Sequence, residues 1–325
     1  MTTIKDVAEL AGVSVSTVSR VMNNRGYQSE ETREKVLAAM KELDYVPNEL
    51  ARSLQGKQTK FLGLIVPSVS NPFFGDLTRW IEYFAYERNY KLVLCNSLRN
   101  TKKELDYIDM LRSSHVAGII MGSHAVKIAE YQEFSLPIVS FDRKLGNNIP
   151  YVASDNYEGG KIATEYLINS GAKKLIHVCG NLDISMFSNA RTEAFKDVCE
   201  EAGVEYKIYQ LSDESIVDFN EEELFEKIIA ENPDVDAIFT TNDVSAIKLL
   251  QILQKRNVDI PADCKLISYD DSYLTKLAYP KLSSVSQPIK DIAYYLVDVL
   301  VKKIKKKTVP TETVLPVELN LRETT

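Results

Sequence analysis

Residues Thr3 to Asn24 read TIKDVAELAGVSVSTVSRVMNN, and the rest of the chain is best approached from this stretch. Asp6 to Leu10 is expected as a short helix, with Gly12 where a tight turn must pass. Ser14-Val15-Ser16 offers capping hydroxyls, and Thr17 to Asn23 forms a second helix. Small Ala8, turn-forming Gly12 and branched Val18 fall where two crossing helices need close approach, a bend and a core knob. That is the grammar of a helix-turn-helix. Ser16, Thr17, Ser19, Arg20 and Asn23 are short or basic polar residues suited to phosphates and base edges. Ser29 caps a third helix with early acids, and Val36, Leu37, Met40 and Leu43 share one face, which closes an all-α head over residues 1–47.

The whole chain of 325 residues has a net charge of −7 and 45% hydrophobic residues. It is long enough for two or three domains with real cores and too acidic for a general nucleic-acid coat. Residues 1–58 carry as many basic as acidic side chains, but no acid falls between Leu10 and Ser29, where Arg20 and Arg25 lie. A locally positive face inside a neutral head therefore has to draw affinity from pairing two heads. The four cysteines lack C-x-x-C spacing and read as buried free thiols of a reducing compartment. No apolar run approaches a membrane span, and residues 1–25 are polar and amphipathic rather than leader-like, so a cytoplasmic protein without membrane contact is expected.

Asp44-Tyr45-Val46-Pro47-Asn48 breaks the third helix. Residues 48–60 then hold ELARSLQ, two helical turns at most, and a polar linker. So short a helix needs an external partner to form in water. From Phe61 the pattern alternates. Strand-like runs are FLGLIVP, KLVLCNS, AGIIMGS, PIVSFD, KLIHVCG, DAIFTTN and KLISYDD, and helical stretches separate them. Such alternation gives parallel sheets with helices on both faces. Residues 61–325 are long for one sheet, so an α/β body of two similar doubly wound lobes is expected, divided by a break near Asn156. The run KKIKKK at Lys302–Lys307 suits a solvated helix end.

In order along the chain, the head, the segment YVPNELARSLQGKQT, LGLIVPSVSNPFF, SDNYEGG and ISYDD followed by SVSQP resemble the lactose-repressor-type bacterial transcription regulators. RGYQSEETREKV, GSH and SFDRKL look most like sucrose operon repressors of that family, while ribose-responsive members share NPFF and the Asp-Arg pair. The resemblance implies a homodimer, and a body like a periplasmic sugar-binding protein closing on a sugar or sugar phosphate. Val15, Ser16 and Arg20 match base-facing positions of a helix in the major groove, with Thr17, Ser19 and Asn23 as phosphate clamps. Leu54 matches a minor-groove wedge at the operator centre and Ala51 the close approach of two hinge helices. The alternative for Leu54 is packing on its own domain. Phe73, Asp142, Arg191, Phe219, Asn242 and Asp270 match effector-contacting positions. Read by residue chemistry alone, the strand-end Asp and Asn could equally be helix caps. Arg143 and Ser70-Asn71 are candidate phosphate contacts, with Arg143 alternatively pairing near Asp142. His124 either lines the cleft or is buried.

Phosphate-binding, nucleophile-elbow and dinucleotide loops are absent from the sequence, and the three histidines lack metal-ligand spacing. A non-enzyme without metal or cofactor is therefore expected. A sugar receptor without DNA function would account for residues 61–325 but not for the head. A corepressor-dependent catabolite-control regulator is the alternative inside the family.

Overall fold

The structure, a computed structural model, describes residues 2–22, 25–45, 59–123, 125, 136–212 and 220–325. The chain separates into two compact units, Met1–Thr59 and Lys60–Thr325. In the first, α1 (Ile4–Ala11), α2 (Val15–Met22) and α3 (Glu30–Glu42) pack around Val7, Ala8, Ala11, Val18, Val21, Val36 and Ala39. Gly12 ends α1 at φ 65°, a left-handed conformation in which a Cβ would be strained. Ser14 then accepts from the backbone N–H of Thr17 at 3.1 Å and starts α2. Ser29 does the same for α3 through Thr32 at 3.2 Å.

In the second unit the elements run β1 (Phe61–Val66), α4 (Pro72–Glu87), β2 (Lys91–Asn96), α5 (Thr101–Ser113), β3 (Gly118–Met121), β4 (Ile138–Phe141) and β5 (Tyr151–Ser154). They continue as α6 (Asn156–Asn169), β6 (Lys174–Cys179), α7 (Ala190–Ala202), β7 (Glu205–Gln210), α8 (Glu222–Glu231), β8 (Ala237–Thr240), α9 (Asp243–Lys255) and β9 (Lys265–Asp270). The chain ends with α10 (Leu274–Leu277), β10 (Ser283–Ser286), α11 (Ile289–Ile304), β11 (Glu312–Leu315) and β12 (Glu318–Asn320). Among the described residues these strands form two six-stranded sheets, ordered β11-β5-β4-β3-β1-β2 and β12-β10-β9-β8-β6-β7. All pairings are parallel except β12 on β10. The shared order gives two doubly wound lobes, the architecture expected for the body.

Alternation along each strand divides the cores. In β1, Leu62, Leu64 and Val66 face α4 and α11, while Ile65 faces α5 with Ile108 and Leu111. In β6, Ile176 and Val178 face α8 and α9, and Leu175 joins Phe195 of α7. Each such leucine or isoleucine, fully buried, contributes about 1.5–3 kcal/mol.

The division of lobes differs from a single break near Asn156. The chain crosses between the lobes there, again at Gln287–Pro288, and again at Pro316–Val317. Helix α11 therefore packs on β3, β4 and β5 of the first lobe, and β11 pairs with β5. Three closely spaced crossings make a hinge whose strands all end at one place. All four cysteines are free and buried. Among the described residues, no helix is long and apolar enough to cross a membrane.

Candidate functional site

On the head, α2 buries Val18 and Val21 and turns Val15, Ser16 and Arg20 outward, with Thr17 and Ser19 half-buried at the margin. Helical spacing places 15, 16, 19 and 20 on one arc opposite the buried pair. Val15 is 41% exposed, unusual for a valine with a core beside it. Ser14 Oγ lies 2.7 Å from Ser16 Oγ and 2.9 Å from Thr17 Oγ1, so both hydroxyls are oriented before any ligand arrives. Asn23, Ala51 and Leu54 lie outside the described residues.

Each lobe's sheet reverses its winding once, between β1 and β3 and between β6 and β8, and open α/β sheets bind ligands at such switch points. A cavity of about 330 Å³ lies at both, between the lobes. That volume is at the small end of ligand sites. Its wall includes Phe73, Asp142, Arg191, Asn242 and Asp270. Phe219 lies outside the described residues.

Phe73 is the third residue of a helix start that Asn71 caps and Pro72 opens, and its ring stacks on Phe141 at 5.6 Å. Asp142 follows β4 at φ 57°, a conformation costing a non-glycine about 1–3 kcal/mol unless neighbours impose it. Here Asn156 donates to its Oδ1 at 2.8 Å, the Ser188 N–H donates to Oδ2 at 3.2 Å, and the Phe187 N–H reaches its carbonyl at 3.1 Å. Arg191 Nε donates to Asn156 Oδ1 at 2.7 Å, its Nη1 donates to the Thr241 carbonyl at 3.0 Å, and its guanidinium lies 3.5 Å over the Tyr269 ring. Asp270 accepts from Gln287 at 2.7 Å. Asn242 is indeed a helix cap, accepting from the Ser245 N–H at 2.9 Å. Its NH₂ end and the second lone pair of its Oδ1 remain for a ligand, so capping and lining are compatible.

Residue type alone does not single out Asn156 and Gln287 as site residues, although they lie in SDNYEGG and SVSQP. Each is an amide at a lobe crossing that holds a carboxylate from the strand it faces. Glu104 likewise carries no sequence signal of its role. It is fully buried, and its Oε2 accepts from Ser123 at 2.6 Å and from the Ala125 N–H at 3.2 Å, fixing the loop that carries the Gly122 and Ala125 wall. Arg143 is buried and does not line the cavity. Neither does Ser70, whereas Asn71 lines it while capping α4. His124 lies outside the described residues. Among those described, no cluster of three or more metal-capable side chains occurs.

The SDNYEGG motif supplies a further constraint. A Cβ on Gly160 would lie 2.5 Å from the Arg191 carbonyl oxygen and 2.8 Å from its Cα. Helix α6 can approach the backbone that carries Arg191 only because position 160 has no side chain. Gly160→Ala is expected to cost about 1–3 kcal/mol by forcing the helices apart. At about 2–4 °C per kcal/mol, thermal melting should report a drop of several degrees.

Charge at the cleft is governed by burial. Burial raises Asp142, and Arg191, Asn156 and Ser188 work against it. Asp270 is held well above the carboxylate range by burial and then by the charge of Asp243, with Arg191 opposing. Asp243, at the start of α9, is pushed up to about 6 by burial, despite accepting from Ser268 Oγ (2.5 Å), Ser284 Oγ (2.9 Å) and the Ser272 N–H (2.6 Å). A carboxyl whose folded pKa exceeds its unfolded one contributes stability at low pH that is lost as pH rises through about 6. His177 has the opposite sign. Burial lowers it to about 4, so it favours the fold above its unfolded value and removes that support as pH falls towards 4. The net profile mixes both, but the difference between wild type and Asp243→Asn removes the His177 contribution and reports the Asp243 carboxyl together with its effect on Asp270. That variant should gain melting temperature relative to wild type from pH 5 to pH 7. A constant offset would contradict the assignment.

Residues 3–48 match the model of the bacterial regulatory proteins of the lacI family, and residues 164–325 match the periplasmic binding protein-like domain. The sucrose operon repressor of Streptococcus mutans is 44% identical over 97% of this chain and 97% of its own. The chain belongs to the lacI family of bacterial regulatory proteins. The ribose operon repressor of Halalkalibacterium halodurans is 37% identical, over 100% of this chain and 97% of its own. Among solved structures, a periplasmic binding protein/LacI transcriptional regulator from Alkaliphilus metalliredigens, complexed with D-xylulofuranose, is 32% identical. Its TM-score is 0.74, and the match covers 82% of this chain and 99% of that one. Membership of the lacI family accounts for a helix-turn-helix and a two-lobed body in one chain.

Proposed function

We propose that this protein is a sequence-specific DNA-binding repressor of a carbohydrate-utilisation operon, released from a near-palindromic operator by a sucrose- or fructose-related sugar or sugar phosphate. The observation that carries this reading is the convergence of Asp142, Arg191 and Asp270 on one cavity between two lobes, in a chain that begins with a lacI-type head. Paired carboxylates and a guanidinium complement vicinal hydroxyls, and the Phe73 ring offers a face to C–H groups. The relatives named sucrose operon repressors support the sugar class.

Two heads in a homodimer read two half-sites. Val15, Ser16 and Arg20 face base edges, while Thr17, Ser19 and Asn23 hold phosphates. Leu54 wedges the operator centre, with Ala51 at the contact between hinge helices. Phe73, Asp142, Arg191, Phe219, Asn242 and Asp270 hold the sugar. Closure of the lobes around the three crossings then alters how the paired heads are presented. A coupling of about 1–3 kcal/mol between sugar and operator gives a 5–150-fold shift in affinity. The protein works by binding rather than catalysis, in the cytoplasm.

The test is titration of the purified protein on a palindromic operator from the DNA upstream of its own gene, with and without sucrose, fructose, ribose and their phosphates. Release by a sucrose-pathway sugar supports the reading. Release by ribose alone reassigns the effector, and tighter binding with any sugar reverses the sign of the switch.

A further inference from the structure

Two consecutive non-glycine residues at the cleft, Asp270 and Asp271, have φ of 106° and 53°. Neither conformation is favourable for an L-residue, and such backbone persists only where surroundings impose it. The Asp271 carboxylate does not enter the cavity wall. It points to the C-terminal segment instead, where Arg322 Nη2 lies 2.7 Å from Oδ1 and Asn320 Nδ2 donates to Oδ2 at 2.8 Å. Thr275 Oγ1 donates to Oδ1 at 2.9 Å, and the Asp271 N–H reaches Ser284 Oγ at 3.1 Å. The ion pair is shielded from water, its side chains 15% and 7% exposed.

Arg322 is itself held. Its Nη1 donates to the Leu282 carbonyl and its backbone N–H to Ser283 Oγ, both at 2.7 Å. Two residues on, fully buried Thr324 donates to the Leu266 carbonyl at 2.7 Å and accepts from the Ser283 N–H at 2.9 Å. The Leu266 N–H returns to the Thr324 carbonyl at 2.9 Å. Residues 320–325 are thus stitched to the starts of β9 and β10, while the side chains of Asn320 and Arg322 reach the far end of β9.

We infer that Arg322 is a positioning residue for the effector site: through Asp271 it fixes the backbone that aims the Asp270 carboxylate into the cleft. Arg322 does not touch the cavity, so its effect on the sugar runs entirely through Asp271. The inference rests on the proposed effector role of Asp270. The mechanism is geometric. With Arg322 removed, Asp271 is left without its cation and held only by Asn320, Thr275 and Ser284, and the positive-φ pair loosens so that Asp270 rotates away from Gln287.

The experiment uses the full chain with Arg322→Gln and Arg322→Lys. Hydrogen–deuterium exchange reads the amides of residues 270–272 without any sugar, calorimetry reads binding of sucrose, fructose and their phosphates, and operator affinity is measured without sugar. Arg322→Gln should exchange faster at 270–272, bind the active sugar about 3–30-fold more weakly and bind the operator as wild type does. Arg322→Lys, which keeps the charge but not the fork, should fall between. Wild-type sugar affinity in Arg322→Gln, or an equal loss of sugar and operator binding, overturns the inference. If Arg322→Gln does not fold, Arg322→Lys carries the same comparison. If wild type binds none of these sugars, the effector reading fails, and unchanged exchange at 270–272 then refutes the positioning by itself.

Discussion

Arg191→Met is expected to leave the protein on its operator at sugar concentrations that release wild type completely. Arg191 is the cation between Asp142 and Asp270, and its own contacts lie in the second lobe and at the first crossing: the Thr241 carbonyl after β8, the Tyr269 ring of β9, and Asn156, which in turn donates to Asp142 of the first lobe. Truncating one partner of a buried, hydrogen-bonded charge network costs about 2–5 kcal/mol of binding, which is roughly 30-fold to several thousand-fold in sugar affinity. Two buried carboxylates then lose their counter-ion, so the body also loses stability at neutral pH. Burial already raises both acids, and removing the guanidinium raises them further, so they protonate more readily. The stability deficit should therefore shrink as pH falls, a signature that a simple packing defect lacks. Arg191→Lys should be nearly as impaired in sugar binding, because one ammonium cannot reach Asn156 and Thr241 while lying flat on Tyr269. Calorimetry at pH 7, with melting at pH 5 and pH 7, checks all three statements. Sugar release of Arg191→Met at wild-type concentrations would refute the central role given to this residue.

The sequence made legible whatever its own periodicity encodes. The head was readable because Ala8, Gly12 and Val18 occupy positions set by local helix and turn geometry, although α1 and α2 both begin earlier than expected, at Ile4 and Val15. Central strands such as LGLIV and AIFT stand out as apolar runs because helices cover both faces. Strand β10 was not readable. It is SSVS, and its hydroxyls are buried against Asp243 and the C-terminal segment rather than in an apolar core. Strand β7, EYKIYQ, lies at a sheet edge and alternates with exposed residues. The crossing at Pro316 depends on the pairing of β11 with β5, more than 150 residues apart, and that at Gln287 on α11 packing back against the first lobe, neither of which a local pattern reports. At the site, Asp142, Arg191 and Asp270 were nameable through family resemblance. The amides that hold them, Asn156 and Gln287, acquire meaning only once the lobes are folded together.

Arg20→Ala is expected to lower operator affinity by about 30-fold to 10⁴-fold, since a bidentate arginine–guanine contact is worth roughly 1–3 kcal/mol and a homodimer carries two. The estimate follows from placement. Arg20 is exposed on the arc of α2 opposite Val18 and Val21, and no acid occurs between Leu10 and Ser29 to neutralise it. Val18 and Val21 anchor the helix beneath it, so the substitution should leave the melting of the head unchanged. Magnitude alone does not separate base reading from phosphate contact, because both weaken binding. The separation comes from sequence and salt. If Arg20 reads a base, the variant loses discrimination at one operator position per half-site, and changing that base costs wild type what the substitution costs. If Arg20 only contacts phosphate, affinity falls uniformly across operators, and the slope of log affinity against log salt falls by about one for each lost contact. Thr17 and Ser19, half-buried at the margin of the same arc, should show that second behaviour when replaced by alanine. The same pattern at Arg20 would move base recognition to Val15 and Ser16, whose short side chains bring the helix closer to the groove floor.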